Sequence, residues 1–305
     1  MLKFVYYYLR SMRLYYGFVT GTTTLVGSLA SGHTLAEGRT WLLFAMGFLA
    51  WGFNQIFSDW CDRKEDAINA PHRPMVTGAL KPAPAFAVSL VGLGAIAVVG
   101  FLLSPWTLVF LGIGGALNIA YSLLKRVPVL NCLVYAAAIS CCAAFGWVGA
   151  TGCLPVSAVE TQSMLKELIL LVAPVHFLMC HNSYYKDVVG DRAAGVRTLQ
   201  TICLSLSFVV SLVALFLILG ELFYLVVATL MFPMAAMPIF LIVIVLTILF
   251  FVALGKGRYH RVTQYNCELC VALLHGHYFP QSWPVCIASL IAINLLFLWY
   301  RDEKE

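Results

Sequence analysis

The feature that most restricts this chain is a series of long apolar runs with almost no charge inside them. They lie at about 14–31, 40–58, 84–103, 107–124, 128–151, 164–185, 202–219, 222–254 and 281–300. A helix rises ~1.5 Å per residue, so about 20 apolar residues cross the hydrocarbon of a bilayer. Inside lipid, every backbone N–H and C=O needs a partner, and a helix supplies one from its own segment. The runs therefore predict an all-α, polytopic membrane protein of about nine transmembrane helices. The run at 222–254 is too long for one straight span and contains Pro233 and Pro238. It reads as one tilted or kinked helix, or as a half-helix followed by a full span. Only 11% of the 305 residues are charged, against about 25% in soluble domains. That is too few to cover a soluble surface, and 61% hydrophobic residues exclude disorder. A net charge of +5 is mild and points to no nucleic acid. No soluble domain interrupts the runs, so residues 1–305 read as one intramembrane domain.

The basic residues test this topology. With nine spans, the N-terminal lead and the loops after spans two, four, six and eight share a side, and they hold 15 of the 19 Lys and Arg residues. The other side keeps Arg39, Lys166, Arg301 and Lys304. The positive-inside rule places the rich side in the cytoplasm, although cations that bind an anionic substrate would produce the same bias. Lys3, Arg10 and Arg13 are spread through a Tyr-rich stretch, which reads as an amphipathic lead-in rather than a signal peptide. Most of the ten cysteines lie in apolar runs and imply no disulfide framework. Cys267 and Cys270 have zinc-like spacing but no second pair, so an interfacial helix is expected there.

Chemistry concentrates in two loops. After span two the chain reads Ser58-Asp59-Trp60-Cys61-Asp62-Arg63-Lys64-Glu65-Asp66. Asp59, Asp62 and Asp66 fall at i, i+3 and i+7, which is one face of a helix. Carboxylates so placed repel unless something positive lies between them. A hard cation such as Mg²⁺ takes oxygen ligands and commonly bridges carboxylates to phosphates. The plainer reading, a solvated acidic helix end, leaves the shared face unexplained. After span six, Asp187 and Asp191 are spaced i, i+4, Tyr184 precedes Asp187 by three residues, and Lys186, Arg192 and Arg197 surround them. Together the two loops hold six of the chain's 14 acids. Both fall on the same predicted side, where they could hold Mg²⁺ around one diphosphate, with the neighbouring cations neutralising the rest of its charge. At the end of span four, Asn118, Tyr121 and Lys125 repeat the i, i+3, i+7 spacing. Lys125 could reach that diphosphate or merely snorkel to the interface.

These motifs resemble the UbiA-type intramembrane prenyltransferase superfamily, which includes terpene cyclases. SDWCDRKED with its AINAPHRP continuation resembles the first family signature. KDVVGDRAAGVRTL resembles the second, and YSLLKR the fourth-helix element. The resemblance covers nearly the whole chain. It implies a helical bundle around a central cavity, and an enzyme that ionises an isoprenyl diphosphate and transfers the prenyl group to a lipophilic, aromatic acceptor. A cyclase acting without an acceptor is the alternative. Carried over by position, Asp59, Asp62, Asp66, Asp187 and Asp191 hold Mg²⁺. Arg73, Lys125, Lys186 and Arg192 bind diphosphate, joined by Ser58 and Tyr184. Asn54, Asn118, Tyr121 and Asn182 line the substrate cavity. Two positions depart from the pattern: Ser58 stands where Asn is usual, and Asn182 where Tyr is usual. Ser58 keeps a hydroxyl, and Tyr184 or Asn54 can substitute.

The mechanism implied by the residues agrees. Departure of diphosphate builds charge that cations stabilise, and a carbocation must be kept from water. Trp51, Phe53, Phe57, Tyr121 and Tyr185 lie near the level where aromatic faces could stabilise a cation, though each suits ordinary packing as well. A transporter reading fits poorly, because the acids sit at span ends and the span centres are nearly uncharged.

Overall fold

The structure is a computed structural model that describes residues 2–124, 127–165, 172–185, 187–193, 195–214, 272, 275–276 and 278–299. It is an all-α membrane bundle of the predicted class, and the described residues contain no strand. The amphipathic lead-in is α1 (Leu2–Ser11), followed by α2 (Leu14–Ala30), α3 (Gly38–Cys61) and the short α4 (Arg63–Asn69). Next come α5 (Pro82–Leu103), α6 (Pro105–Leu124), α7 (Leu130–Thr151) and α8 (Ala158–Leu165). Then follow α9 (Ala173–Ser183), α10 (Val188–Ala193), α11 (Leu199–Ile202), α12 (Leu204–Ala214) and α13 (Trp283–Trp299). Eight of the nine apolar runs thus carry described helix, all but the run at 222–254. The run at 222–254 and the pair Cys267/Cys270 lie outside the described residues.

Helix punctuation follows the sequence. Pro82 and Pro105 open α5 and α6, where a missing N–H costs nothing. Gly152, at φ 81°, ends α7 in the left-handed conformation that Gly adopts freely. Among the described residues, α3, α5 and α7 are long and apolar enough to cross a membrane. Helix α5 exposes Leu90, Val91, Val98, Phe101 and Leu102, a lipid-facing surface rather than a defect.

The centre of the bundle is α2, with nearly every residue from Gly17 to Leu29 buried. It is rich in Gly, Thr and Ser, which let neighbours approach closely where lipid offers no hydrophobic driving force. A methyl group added at Gly27 would overlap the Ala143 carbonyl, and one at Gly146 would overlap the Thr24 carbonyl. That close crossing joins α2 to α7. Hydroxyls hold the other seams: Thr20 Oγ1 donates to the Gly47 carbonyl of α3 at 2.9 Å, and Thr22 and Ser289 share a 2.8 Å hydrogen bond between α2 and α13. At the end far from the acidic loops, Arg39 donates to the Gly149 and Leu103 carbonyls at 2.7 and 3.0 Å, capping α7 and α5 together.

Candidate active site

The first acidic motif begins on the last turn of α3. Asp59 is 3% exposed, and one of its oxygens accepts from Gln55 Nε2, one turn earlier, at 3.0 Å. The helix bends at Asp62 (φ −86°, ψ 6°), but its hydrogen bonding runs through the bend. Asp62 N–H reaches the Ser58 carbonyl at 2.9 Å, and Asp66 N–H reaches the Asp62 carbonyl at 2.8 Å. Asp59, Asp62 and Asp66 therefore follow one helical path, as their spacing predicts. Asp66 is 6% exposed, whereas Asp62 and Ser58 are half-buried.

The positive charge that the spacing demands is supplied by arginine. Arg73, on the turn after α4, places Nη1 3.5 Å from Asp59 and forms a close ion pair with Asp66. Arg13 Nη2 donates to Asp59 at 3.2 Å. Burial raises the Asp66 carboxyl above the ordinary range, Arg73 opposes that shift, and the nearby Asp59 charge adds to it. Arg73 was expected at the diphosphate; Arg13 was not singled out by sequence. It joins α1 to α2 at φ 46°, a left-handed conformation costly for a residue with a side chain. Only the fold reveals that this bend aims Arg13 at a carboxylate 46 residues away.

The second motif lies on α10 and the turns beside it. Asp187 is half-buried, and Asp191 is 5% exposed. Asp191 N–H donates to the Asp187 carbonyl at 2.7 Å, which seats both on one short turn. Gly195, at φ 68°, ends that turn, and Thr198 begins α11 with a reciprocal capping box to Thr201. Helix α10 packs against α4, so the two acidic motifs meet at one end of the bundle. Among the described residues, no three carboxylates converge tightly enough to form a ready metal cage. Asp59 and Asp66 converge on Arg73 instead, because the guanidinium satisfies them. The donor set is oxygen-only and largely buried, which fits a hard cation.

Other expected residues divide into three groups. Asn54 and Asn118 meet across α3 and α6, Asn118 Nδ2 donating to Asn54 Oδ1 at 2.9 Å, and both line a cavity of about 220 Å³. Tyr121 and Tyr184 share a 2.9 Å hydroxyl hydrogen bond in a buried cluster with Cys132 and Cys180. The structure thus sets Tyr184, expected at the diphosphate, against Tyr121. Asn182 is fully buried and accepts from Ser211 Oγ of α12 at 2.8 Å. Arg192 is exposed on α10. Lys125 and Lys186 lie outside the described residues.

Of the aromatic candidates, Trp51 lines the cavity. Phe57 stacks near Phe86, and Tyr185 accepts from Ser207 Oγ at 2.9 Å, so these two serve packing and helix linkage. The cavity is walled by α2, α3, α5, α6 and α7, and its lining is mainly apolar. Tyr135, Gly114 and Gly115 line it without having been flagged in the sequence, where nothing separates them from other small or aromatic span residues.

A family model described as the UbiA prenyltransferase family matches residues 20–275. The chain is 29% identical over 197 residues to the bacteriochlorophyll synthase 33 kDa chain of Rhodobacter capsulatus, covering 58% of this chain and 60% of that protein. It therefore spans only about three-fifths of that relative's length. Among solved structures, a UbiA homologue from Aeropyrum pernix K1 superposes with a TM-score of 0.68 at 17% identity, over 92% of this chain and 98% of the other. A UbiA homologue from Archaeoglobus fulgidus, bound to GPP and Mg²⁺, superposes with a TM-score of 0.58 at 16% identity, over 90% and 99%. At these identities the two structures establish a shared fold.

Proposed function

This chain belongs to the UbiA prenyltransferase family, and from that premise we propose that it is a Mg²⁺-dependent intramembrane prenyltransferase. It ionises an isoprenyl diphosphate and transfers the prenyl group to a lipophilic, aromatic acceptor. The observation that carries the reading is the meeting of α4 with α10, which gathers buried Asp59, Asp66 and Asp191 at one end of the bundle. The cavity lined by Asn54 and Asn118 lies inside the bundle on the same helix as Asp59. The match to a family described as prenyltransferases supports transfer over cyclisation. The Archaeoglobus homologue carrying GPP and Mg²⁺ supports the substrate class and the cation.

Each group has a defined part in this reading. Asp59, Asp62, Asp66, Asp187 and Asp191 would hold Mg²⁺, which when bound supplies positive charge for a departing diphosphate. Arg73 and Arg13, already at the carboxylates, are the described cations that contribute to the same charge balance. Lys125, Lys186 and Arg192 join them by motif. Asn54 and Asn118 orient the substrate where the cavity begins, and the apolar walls exclude water that would quench a carbocation. The Trp51 face stabilises positive charge. The whole chain acts as one integral membrane domain, with lipid around it and the acidic loops on the cytoplasmic side.

The test is product analysis. Purified protein in detergent is incubated with Mg²⁺ and a panel of prenyl diphosphates, with and without quinone-precursor, lipid-alcohol and porphyrin acceptors, and read by mass spectrometry. A prenylated acceptor is expected, formed with Mg²⁺ or Mn²⁺ and lost with chelator. Cyclic hydrocarbon released without any acceptor would overturn transfer in favour of cyclisation.

A further inference from the structure

Helix α9 leads into the second acidic motif, and α11 and α12 follow it. Polar side chains from these flanks interlock behind the motif. His181 Nε2 lies 3.0 Å from the Ser207 carbonyl and 3.2 Å from Ser207 Oγ. A carbonyl only accepts, so Nε2 carries the hydrogen. Ser207 Oγ donates to the Tyr185 hydroxyl at 2.9 Å. That hydroxyl lies 3.3 Å from Ser211 Oγ, which donates to Asn182 Oδ1 at 2.8 Å. With the Ser211 hydrogen given to Asn182, Tyr185 is the donor to Ser211. The bonds therefore run one way, from His181 through Ser207, Tyr185 and Ser211 to Asn182. In such a chain each bond polarises the next.

His181, Asn182, Ser207 and Ser211 are each at most 1% exposed. Ser207 and Ser211 share one face of α12 by their i, i+4 spacing. Gln200 of α11, 1% exposed, donates Nε2 to the His181 carbonyl at 2.7 Å. That carbonyl belongs to the last turn of α9, where intrahelical donors run out. So α11 closes the end of α9 while α12 grips its side. Asn182, expected in the substrate cavity, is absent from that cavity's lining and belongs to this chain of bonds instead. Between the gripped ends runs the segment that carries the acids. Asp191 N–H donates to the Asp187 carbonyl at 2.7 Å, Val196 N–H to the Asp191 carbonyl at 2.8 Å, and Thr201 Oγ1 to the Val196 carbonyl at 3.1 Å. Those bonds shape the segment. Its placement against α4 depends on where its two ends are held.

We propose that His181, Tyr185, Ser207 and Ser211 are positioning residues for the second acidic motif. They form a buried clamp that holds the exit of α9 and the entry of α12 at one spacing. That spacing sets Asp187 and Asp191 where α10 meets α4, and the clamp touches neither cation nor substrate. The proposal rests on the function argued above in assigning these acids to Mg²⁺. Removing a group that directly supports a metal ligand lowers affinity or activity roughly 10–100-fold. The clamp acts one step farther back, through the backbone, so the lower end of that range is expected.

The test compares Ser207→Ala, Ser207→Thr and Tyr185→Phe with the wild type, as full chains in detergent. Amide hydrogen exchange without Mg²⁺ reads the placement of the segment. The rise in unfolding temperature across a Mg²⁺ titration, with geranyl diphosphate present, reads metal affinity. In Ser207→Ala and Tyr185→Phe, exchange at the Asp191 and Val196 amides should speed up at least about tenfold, with α2 and α7 amides as protected as before. Mg²⁺ affinity should fall about tenfold in the same variants. Ser207→Thr keeps the hydroxyl and should restore both readouts. Tyr185→Phe keeps the ring volume and carries the test if the Ser207 variants fail to fold. Either readout unchanged in both Ser207→Ala and Tyr185→Phe overturns the clamp. So does exchange that rises equally in α2 and α7, which would make the bonds a support of the whole fold. A wild-type chain whose unfolding temperature ignores Mg²⁺ overturns the function argued above, and the metal-free exchange readout separates that failure from failure of the clamp.

Discussion

Arg73→Met tests whether the buried charge cluster is built as described. The substitution keeps much of the side-chain volume but removes the guanidinium that pairs with Asp66 and lies 3.5 Å from Asp59. The Arg73 side chain is 25% exposed and the Asp66 side chain 9%. The pair therefore falls between an exposed bridge, worth about 0.2–1 kcal/mol, and a fully buried one, whose breaking costs about 3–5 kcal/mol. About 2 kcal/mol is expected. Domains of 150–250 residues shift by about 2–4 °C per kcal/mol, so a fall in Tm of about 3–5 °C follows for this longer chain without Mg²⁺. The assay is thermal unfolding in detergent of Arg73→Met, Asp66→Asn and the double variant. Because the loss arises mainly from an uncompensated carboxylate, Asp66→Asn should restore about half of it in the Arg73→Met background. An unchanged Tm in Arg73→Met, or strictly additive losses in the double variant, would refute the coupling. Arg73 would then be a surface cation that merely lies nearby.

Asp62→Ala and Asp187→Ala should each lower turnover by more than about a hundredfold yet unfold at nearly the wild-type temperature, since both residues are half-buried at the mouth and support no core. Near-normal activity in both would sink the metal assignment. Arg13→Ala should raise the KM for prenyl diphosphate while relieving the backbone strain at φ 46° only slightly, because Ala tolerates that conformation no better; an unchanged KM removes Arg13 from the site. Gly146→Leu should abolish accumulation of folded protein, because its side chain would collide with the α2 backbone at Thr24; normal expression and melting would show that the α2–α7 crossing is looser than described. Single cysteine probes near Arg63 and near Glu303, the latter outside the described residues, should label from opposite faces of sealed vesicles. Labelling of both from one face rules out nine spans.

Much of the bundle was legible in the chain because bilayer crossing is a local requirement. A run of about 20 apolar residues must satisfy its own backbone, so the positions of α2, α3, α5, α6, α7 and α13 follow from composition along the sequence. The acidic motifs were legible for a related reason. Asp59, Asp62 and Asp66 share a face through helical periodicity, and Asp187 with Asp191 through a single turn, whatever surrounds them. What answers those charges is not local. Arg13 reaches Asp59 across 46 residues, through a left-handed bend between α1 and α2 that no pattern announced. Tyr184 and Tyr121, both assigned to substrate by position, find each other because α6 and α9 both pack on α7. The cavity is likewise a property of the assembly. Its walls are ordinary span residues, and only packing decides that Gly115 faces empty space while Gly146 touches backbone. Periodicity specifies which residues share a face; the packing of one helix on another determines what that face meets.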